Sequence, residues 1–153
     1  MEAEQLIEKL DMYIGIDLGG TKTEVILINE NGSEIERFRK KTPKNYNGTI
    51  DLICELVNFV ENKHKINCKI GLGTPGALSI ETHCIKGGNS TWLNGRPLKN
   101  DLELRLNRII TLENDANCFA LSEAFDGAGF DEDIVFGVIL GTGVGGGLIV
   151  NKK

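Results

Sequence analysis

No two cysteines in this sequence stand at a spacing that suits a metal: Cys54, Cys68, Cys84 and Cys118 lie far apart with no CxxC pair, and His64 and His83 are the only histidines. That excludes a zinc centre and a disulfide framework, and leaves the cysteines as small buried hydrophobes of a reducing compartment such as the cytoplasm. Basic runs are missing too. At a formal charge of -5 the chain lacks the positive surface that displaces phosphate counterions, so nucleic acid is not an expected partner. The opening MEAEQLIEKLDM has neither the positive n-region nor the apolar h-region of a secretory signal; Leu6, Ile7 and Leu10 at helical spacing predict a short packing helix there. One stretch invites a membrane test, since Ile134 to Val150 is seventeen residues without a charge. Its glycines, at 137, 141, 143, 145, 146 and 147, would each cost a helix roughly 1 kcal/mol relative to alanine, and a membrane is not an expected partner either.

What is present is a chain of 153 residues, 41% apolar and 25% charged, which is enough to bury the core of one soluble domain. Its most informative stretch is YIGIDLGGTKTEVILIN. Tyr13 to Asp17 reads as a short buried strand, Gly19 and Gly20 as a turn, and Thr23 to Ile28 as a returning strand. A Walker A loop is excluded, because Thr21 separates the last glycine from Lys22 and the β-branched run that follows is strand, not helix. The turn offers backbone N–H groups, the Thr21 hydroxyl and the Lys22 ammonium, the donor types a phosphate chain needs, while Asp17 at the strand end is placed to hold Mg²⁺ through water. An ordinary hairpin whose glycines only make the bend fits this stretch as well.

Further on, Asn31-Gly32 predicts a hairpin and a third, polar strand over Ser33 to Lys41. Pro43 and the cluster from Asn45 to Gly48 break the chain, and Ile50, Ile53, Leu56, Val57 and Val60 mark a helix ending near Lys63. Lys69 to Gly73 is a short strand closed by a turn in TPGALS, followed by a long loop, HCIKGGNSTWLNG. Pro97 suits the first turn of a helix to about Asn107; Ile109 to Glu113 is a strand; ANCFALSEAF is a helix that Asn114 or Asp115 can cap. Ile134 to Leu140 and Gly147 to Val150 pair around a second glycine cluster, GTGVGGG. The pattern predicts an α/β domain with a mixed sheet, three antiparallel strands first and then parallel strands with helical crossovers.

Gly141, Gly143 and Gly146 satisfy G-x-G-x-x-G, but strand follows where a dinucleotide fold needs helix. What remains is a second strand–turn–strand with a hydroxyl, Thr142, built like the first. Asp17 and Asp115 both fall at carboxyl ends of predicted central strands, the edge that forms the ligand crevice of open α/β sheets. Phosphoryl transfer asks for a base to take the proton of an attacking hydroxyl and an acid to position Mg²⁺. Asp115 is the candidate base and Asp17 the metal-side acid, against the simpler reading of Asp115 as a helix cap.

GIDLGGTKTEV, GLGTPGALS, NSTWLNG, LENDANCFALSEA and LGTGVGGGLIVN, in this order and spacing, resemble the amino-terminal domain of the ROK family, which includes repressors and sugar kinases. GGTKTEV and NSTWLNG look closest to bacterial fructokinases with mannokinase activity; NDANCFALSEA is shared with N-acetylglucosamine kinases. The resemblance implies an actin-like, ribonuclease-H-like ATPase domain over 13–153 after a short extension at 1–12, MgATP and a hexose as ligands, and a homodimer at full length. Carried over by position, Gly19, Gly20, Thr21 and Lys22 match the first phosphate motif, Thr142 and Gly143 the second, and Asp115 the catalytic base. Pro75, Gly76, Asn89, Asn114 and Asp115 match the sugar contacts, and Trp92 is placed either to stack on the sugar or to anchor its loop. The family's kinases are roughly twice this length, and the half not matched here carries a glutamate–histidine sugar contact, a zinc motif and most of the adenine pocket. This chain alone is therefore expected to bind both ligands weakly and to transfer phosphate poorly. A repressor would need a helix-turn-helix ahead of Tyr13, for which twelve residues are too few. An actin-like or chaperone-like ATPase would share the phosphate turns without a sugar pocket.

Overall fold

The computed structural model describes residues 11–140 and 144–153. The helix expected near the amino terminus falls on residues 1–10, outside the described residues.

Three antiparallel strands come first, β1 (Met12–Leu18), β2 (Lys22–Asn29) and β3 (Glu34–Lys41). Helix α1 (Tyr46–His64) then crosses over to β4 (Lys69–Thr74), which lies parallel to β1. A small antiparallel pair, β5 (Ala77–Leu78) and β6 (Ile85–Lys86), and a single 3-10 turn (Thr91–Leu93) lead to α2 (Leu98–Leu106) and to β7 (Thr111–Asn114), parallel to β4. The resulting five-stranded sheet has the order β3-β2-β1-β4-β7. Helix α3 (Asp115–Phe125) follows β7 without a loop, and β8 (Ile134–Leu140) pairs with β9 (Val144–Val150) in a separate two-stranded sheet.

Alternation along the strands decides which face is covered. Ile14, Ile16 and Leu18 of β1, Val25 and Leu27 of β2, and Ile70 and Leu72 of β4 all point to one side, where Ile53, Leu56, Val57 and Val60 of α1 and Leu98 and Leu102 of α2 bury them. Each such side chain contributes about 1.5–3 kcal/mol relative to staying in water. Helix α1 starts where the Asn45 carbonyl side chain accepts the Gly48 N–H at 2.8 Å and stops where Lys65 turns left-handed at φ 55°. At its end Glu61 takes two bonds from Arg108, at 2.7 and 2.6 Å, and the Cys68 N–H at 2.8 Å, which fastens α1 to the entry of β4 and to the exit of α2. Burial pushes the Glu61 carboxyl up, but Arg108 and the Cys68 N–H outweigh it and hold the pKa below the ordinary value. The exposed edge strand β3 is blunted by charge: Glu24 pairs with Arg37 and Arg39, and Glu36 with Lys63 and His64.

Two boundaries and one loop differ from the sequence reading. The strand expected over 109–113 begins at Thr111, because Asn107 ends α2 in the left-handed region at φ 52° and residues 108–110 return the chain to the register Gly71↔Thr111; Ile109 is left exposed. β9 starts at Val144, not Gly147, since its glycines lie extended against α3. The long loop after TPG is tied down: Ile85 donates its N–H to the Arg96 carbonyl at 3.0 Å and accepts the Gly95 N–H at 2.8 Å, with Ile85 and Leu93 in the core. Among the described residues no helix is long and apolar enough to cross a membrane.

Candidate active site

The carboxyl ends of β1, β4 and β7 open on one side of the sheet, and a cavity with a volume of about 510 Å³ lies there. Its walls come from several places in the chain. Gly19, Gly20 and Thr21 are the turn after β1; Pro75 and Gly76 are the turn after β4; Asn89, Ser90 and Trp92 are the tied loop; Asn114 and Asp115 are the junction of β7 and α3. Ile139, Val144 and Gly145, on either side of the second glycine turn, line it as well. Thr142 and Gly143 lie outside the described residues. Lys22 opens β2, exposed and opposite Lys41, and does not line the cavity.

The first turn is closed from within. Gly19 donates its N–H to the Lys22 carbonyl at 3.0 Å, and a Cβ on Gly19 would come within 2.7 Å of that oxygen. The Gly19 N–H is therefore spent on the turn, contrary to the expectation of a fully bare loop. The Gly20 and Thr21 N–H groups have no acceptor among the described residues, which leaves two donors directed by a rigid bend. Across the cavity Gly76 stands at φ +85°, where a Cβ would meet the Lys86 carbonyl at 2.5 Å and the Gly88 nitrogen at 2.7 Å. Only glycine lets these two backbone stretches touch. The loop beyond is held by Asn94, whose side chain accepts the Gly88 N–H at 3.0 Å and donates to the Gly88 carbonyl at 2.9 Å. Asn89 next to it keeps an exposed amide facing the cavity. Trp92 anchors its loop, the second of the two readings of it. Its Nε1 donates to the Thr49 hydroxyl at 3.1 Å, anchoring the loop on α1, while part of the ring lines the cavity.

Asn114, not Asp115, is the N-cap of α3. Its Oδ1 accepts the Ala116 and Asn117 N–H groups at 3.0 and 3.3 Å, and its Nδ2 donates to the Gly76 carbonyl at 2.8 Å and to Asp115 Oδ1 at 3.1 Å. The amide expected to touch a sugar is thus committed to helix, turn and acid. Asp115 Oδ1 also accepts the Ala116 N–H at 2.8 Å, so one carboxylate oxygen is fixed and the other is left for the cavity.

Asp17, exposed near the end of β1, does not line the cavity but is near enough to Asp115 for the two charges to repel. Partial desolvation first, then Asp115 and Glu24, raise its pKa, and Arg39 offsets only part of that. Cys118, one turn into α3, is likewise pushed up, by burial and then by Glu113, Asp115 and Asp17, so it stays a thiol. Among the described residues no group of three or more His, Cys, Asp or Glu forms a metal cage. Two carboxylates beside a phosphate-type turn do fit Mg²⁺, a hard ion that keeps several waters and arrives on phosphate oxygens. Lys44 and Ser90 also line the cavity without having been nominated from the sequence, Ser90 from within the NSTWLNG block and Lys44 from a position that no local pattern marks.

The N-acetyl-D-glucosamine kinase of Vibrio parahaemolyticus is 44% identical over 143 residues, covering 93% of this chain and 47% of the relative. The ROK family glucokinase from Streptomyces griseus, in complex with glucose and AMPPNP, superposes with a TM-score of 0.83 at 33% identity, over 93% of this chain and 45% of that one. The ROK hexokinase from Thermus thermophilus gives 0.78 at 29%, over 93% and 48%. The chain thus spans about half the length of the relatives it matches. The fold is the actin-like, ribonuclease-H-like ATPase fold of these kinases, as the mixed sheet order requires. With the ROK family profile matching residues 13–153, the chain belongs to the ROK family.

Proposed function

We propose that this chain is the amino-terminal domain, residues 13–153 behind a short extension at 1–12, of an ATP-dependent sugar kinase that phosphorylates a hexose hydroxyl, with the second domain lying beyond the matched half. The observation that carries the reading is one cavity lined both by the Gly20–Thr21 turn and by Asp115, with sugar-type donors between them. The unpartnered Gly20 and Thr21 N–H groups and the Thr21 hydroxyl hold the donor's phosphates, joined by Thr142 and Gly143 from the second turn. Asp17 would hold Mg²⁺ through water, and the chemistry supplied there would be neutralisation of phosphate charge. Asp115, oriented by Asn114 and by the Ala116 N–H, takes the proton of the attacking hydroxyl through its open oxygen. Asn89 hydrogen-bonds the sugar, Pro75 and Gly76 form its floor, and the open part of Trp92 packs on its apolar face. Asn114 acts as a positioning residue.

The relatives' names support N-acetylglucosamine or glucose as acceptor, whereas the blocks GGTKTEV and NSTWLNG support fructose or mannose. Free spaced cysteines support the cytoplasm, and the family resemblance supports a homodimer at full length. Trp92 is the single tryptophan, so its fluorescence reports the site directly. Titrating the chain with fructose, mannose, glucose and N-acetylglucosamine is expected to give a saturable change with at least one, retained in Asp115→Asn, because a base is not needed for binding. A flat response to all four would favour an ATPase that acts on protein partners.

A further inference from the structure

Among the described residues, Lys44 is the sole cation lining the cavity. Its backbone is held from both sides. Thr42 donates its N–H to the Thr21 carbonyl at 2.9 Å and its hydroxyl to the Gly19 carbonyl at 2.8 Å, while that hydroxyl also lies 2.8 Å from the buried Thr23 hydroxyl. Pro43 follows with a fixed φ, and its carbonyl accepts the Thr49 hydroxyl at 3.2 Å. On the other side Asn45 caps α1, and its own carbonyl accepts the same hydroxyl at 2.9 Å. The segment 42–45 is thereby riveted to the first phosphate turn at one end and to the Thr49–Trp92 contact at the other. Lys44 projects from the middle of this bridge, exposed, with no carboxylate partner within ion-pair distance among the described residues.

A lysine without a counter-ion, on a fixed backbone, beside two unpartnered N–H groups, is complementary to an anion. The walls specify which part of a ligand the anion belongs to. The Gly20–Thr21 turn marks the phosphate side and Trp92 with Asn89 the sugar side, and Lys44 lies where they adjoin. We propose that Lys44 binds the terminal phosphate of the donor, as a point charge over the oxygens that carry negative charge while the phosphoryl group passes from donor to acceptor. Lys22, the cation that sequence spacing nominates, does not line this cavity. The identity of the anion as a nucleotide phosphate rests on the kinase reading; the site itself rests on geometry.

Calorimetric titration of the chain with inorganic tripolyphosphate at low ionic strength tests this without a sugar or an intact kinase. Lys44→Gln is expected to weaken binding by about tenfold or more, Lys44→Arg by no more than about threefold, and Lys41→Gln, which removes an equal charge from the neighbouring edge strand, by no more than about twofold. Equal losses in Lys44→Gln and Lys41→Gln, an unchanged Lys44→Gln, or no binding by the native chain would each overturn the proposal. The hexose titration of Trp92 fluorescence separates the two readings. If tripolyphosphate binding depends on Lys44 while no hexose is bound, the anion site stands and the sugar kinase fails; a hexose response with tripolyphosphate binding indifferent to Lys44 gives the reverse.

Discussion

The chemistry turns on how two adjacent side chains divide the work. Asn114 takes over the capping of α3 and the tie to Gly76, which frees one oxygen of Asp115. Asp17 carries the opposite burden, a carboxylate partly desolvated and then crowded by Asp115 and Glu24. Because its folded-state pKa is raised, the folded protein holds the Asp17 proton more tightly than the unfolded chain. The stabilising balance is complete below the ordinary value of 3.8 and is lost as pH rises through the raised value. Asp17→Asn is therefore expected to raise Tm at pH 7 in metal-free buffer, only slightly because Asp17 is exposed and solvent screens its charge, with the gain vanishing below about pH 3.8. Thermal melts across that range check it; an unchanged or lowered Tm at pH 7 would mean that the repulsion is screened. Asp17 and Asp115 were legible in the sequence because each stands at the carboxyl end of a predicted strand; β1 is central as expected, whereas β7, which Asp115 follows, is an edge strand of the five-stranded sheet. Lys44 was not legible, since its place depends on Thr42 reaching Gly19 and Thr21, contacts between residues far apart in the chain that no local pattern encodes.

The glycine cluster after β8 has a second task that its spacing does not reveal. The β8–β9 hairpin lies on α3 through small residues: a Cβ on Gly137 would meet Ala120 Cβ at 2.8 Å, and one on Gly147 would meet the Ala116 carbonyl at 2.5 Å. Ala116, Ala120 and Ala124 form the matching face of the helix. Helix and hairpin thus approach closely at the point where α3 begins with Asp115. Gly147→Ala is expected to cost about 1–3 kcal/mol, read as a lower urea midpoint, because the obstacle is backbone and cannot rotate away. A midpoint equal to that of the native chain would show the contact to be slack. On the opposite face of the hairpin Ile134, Phe136, Val138 and Leu140 stand across from Val150, Leu148, Gly146 and Val144, an exposed apolar ladder. The sequence showed the two strands but not their separation from the main sheet. Glycine carries no apolar period, so neither the start of β9 nor its partner helix could be read from the pattern.

At the scale of the molecule, α1 and α2 fill one face of the five-stranded sheet, α3 with its hairpin occupies the other, and the cleft opens where β1, β4 and β7 end. This order was legible because each level of the sequence agreed: an antiparallel start with Asn-Gly at the second bend, then strands alternating with amphipathic helices. The tied loop was not, since Ile85 and Leu93 enter the core from a stretch without periodicity. The central claim is that phosphate and sugar meet over Asp115 in a single cleft. Amide chemical shifts of the 15N-labelled chain, followed during titration with Mg-AMPPNP and then with a hexose that quenches or enhances Trp92, test it most directly. The account predicts that the nucleotide moves Gly20 and Thr21, the hexose moves Gly76 and Asn89, and both move Asp115; perturbations that fall on separate sides of the sheet, or that leave Asp115 unmoved by either ligand, would contradict it.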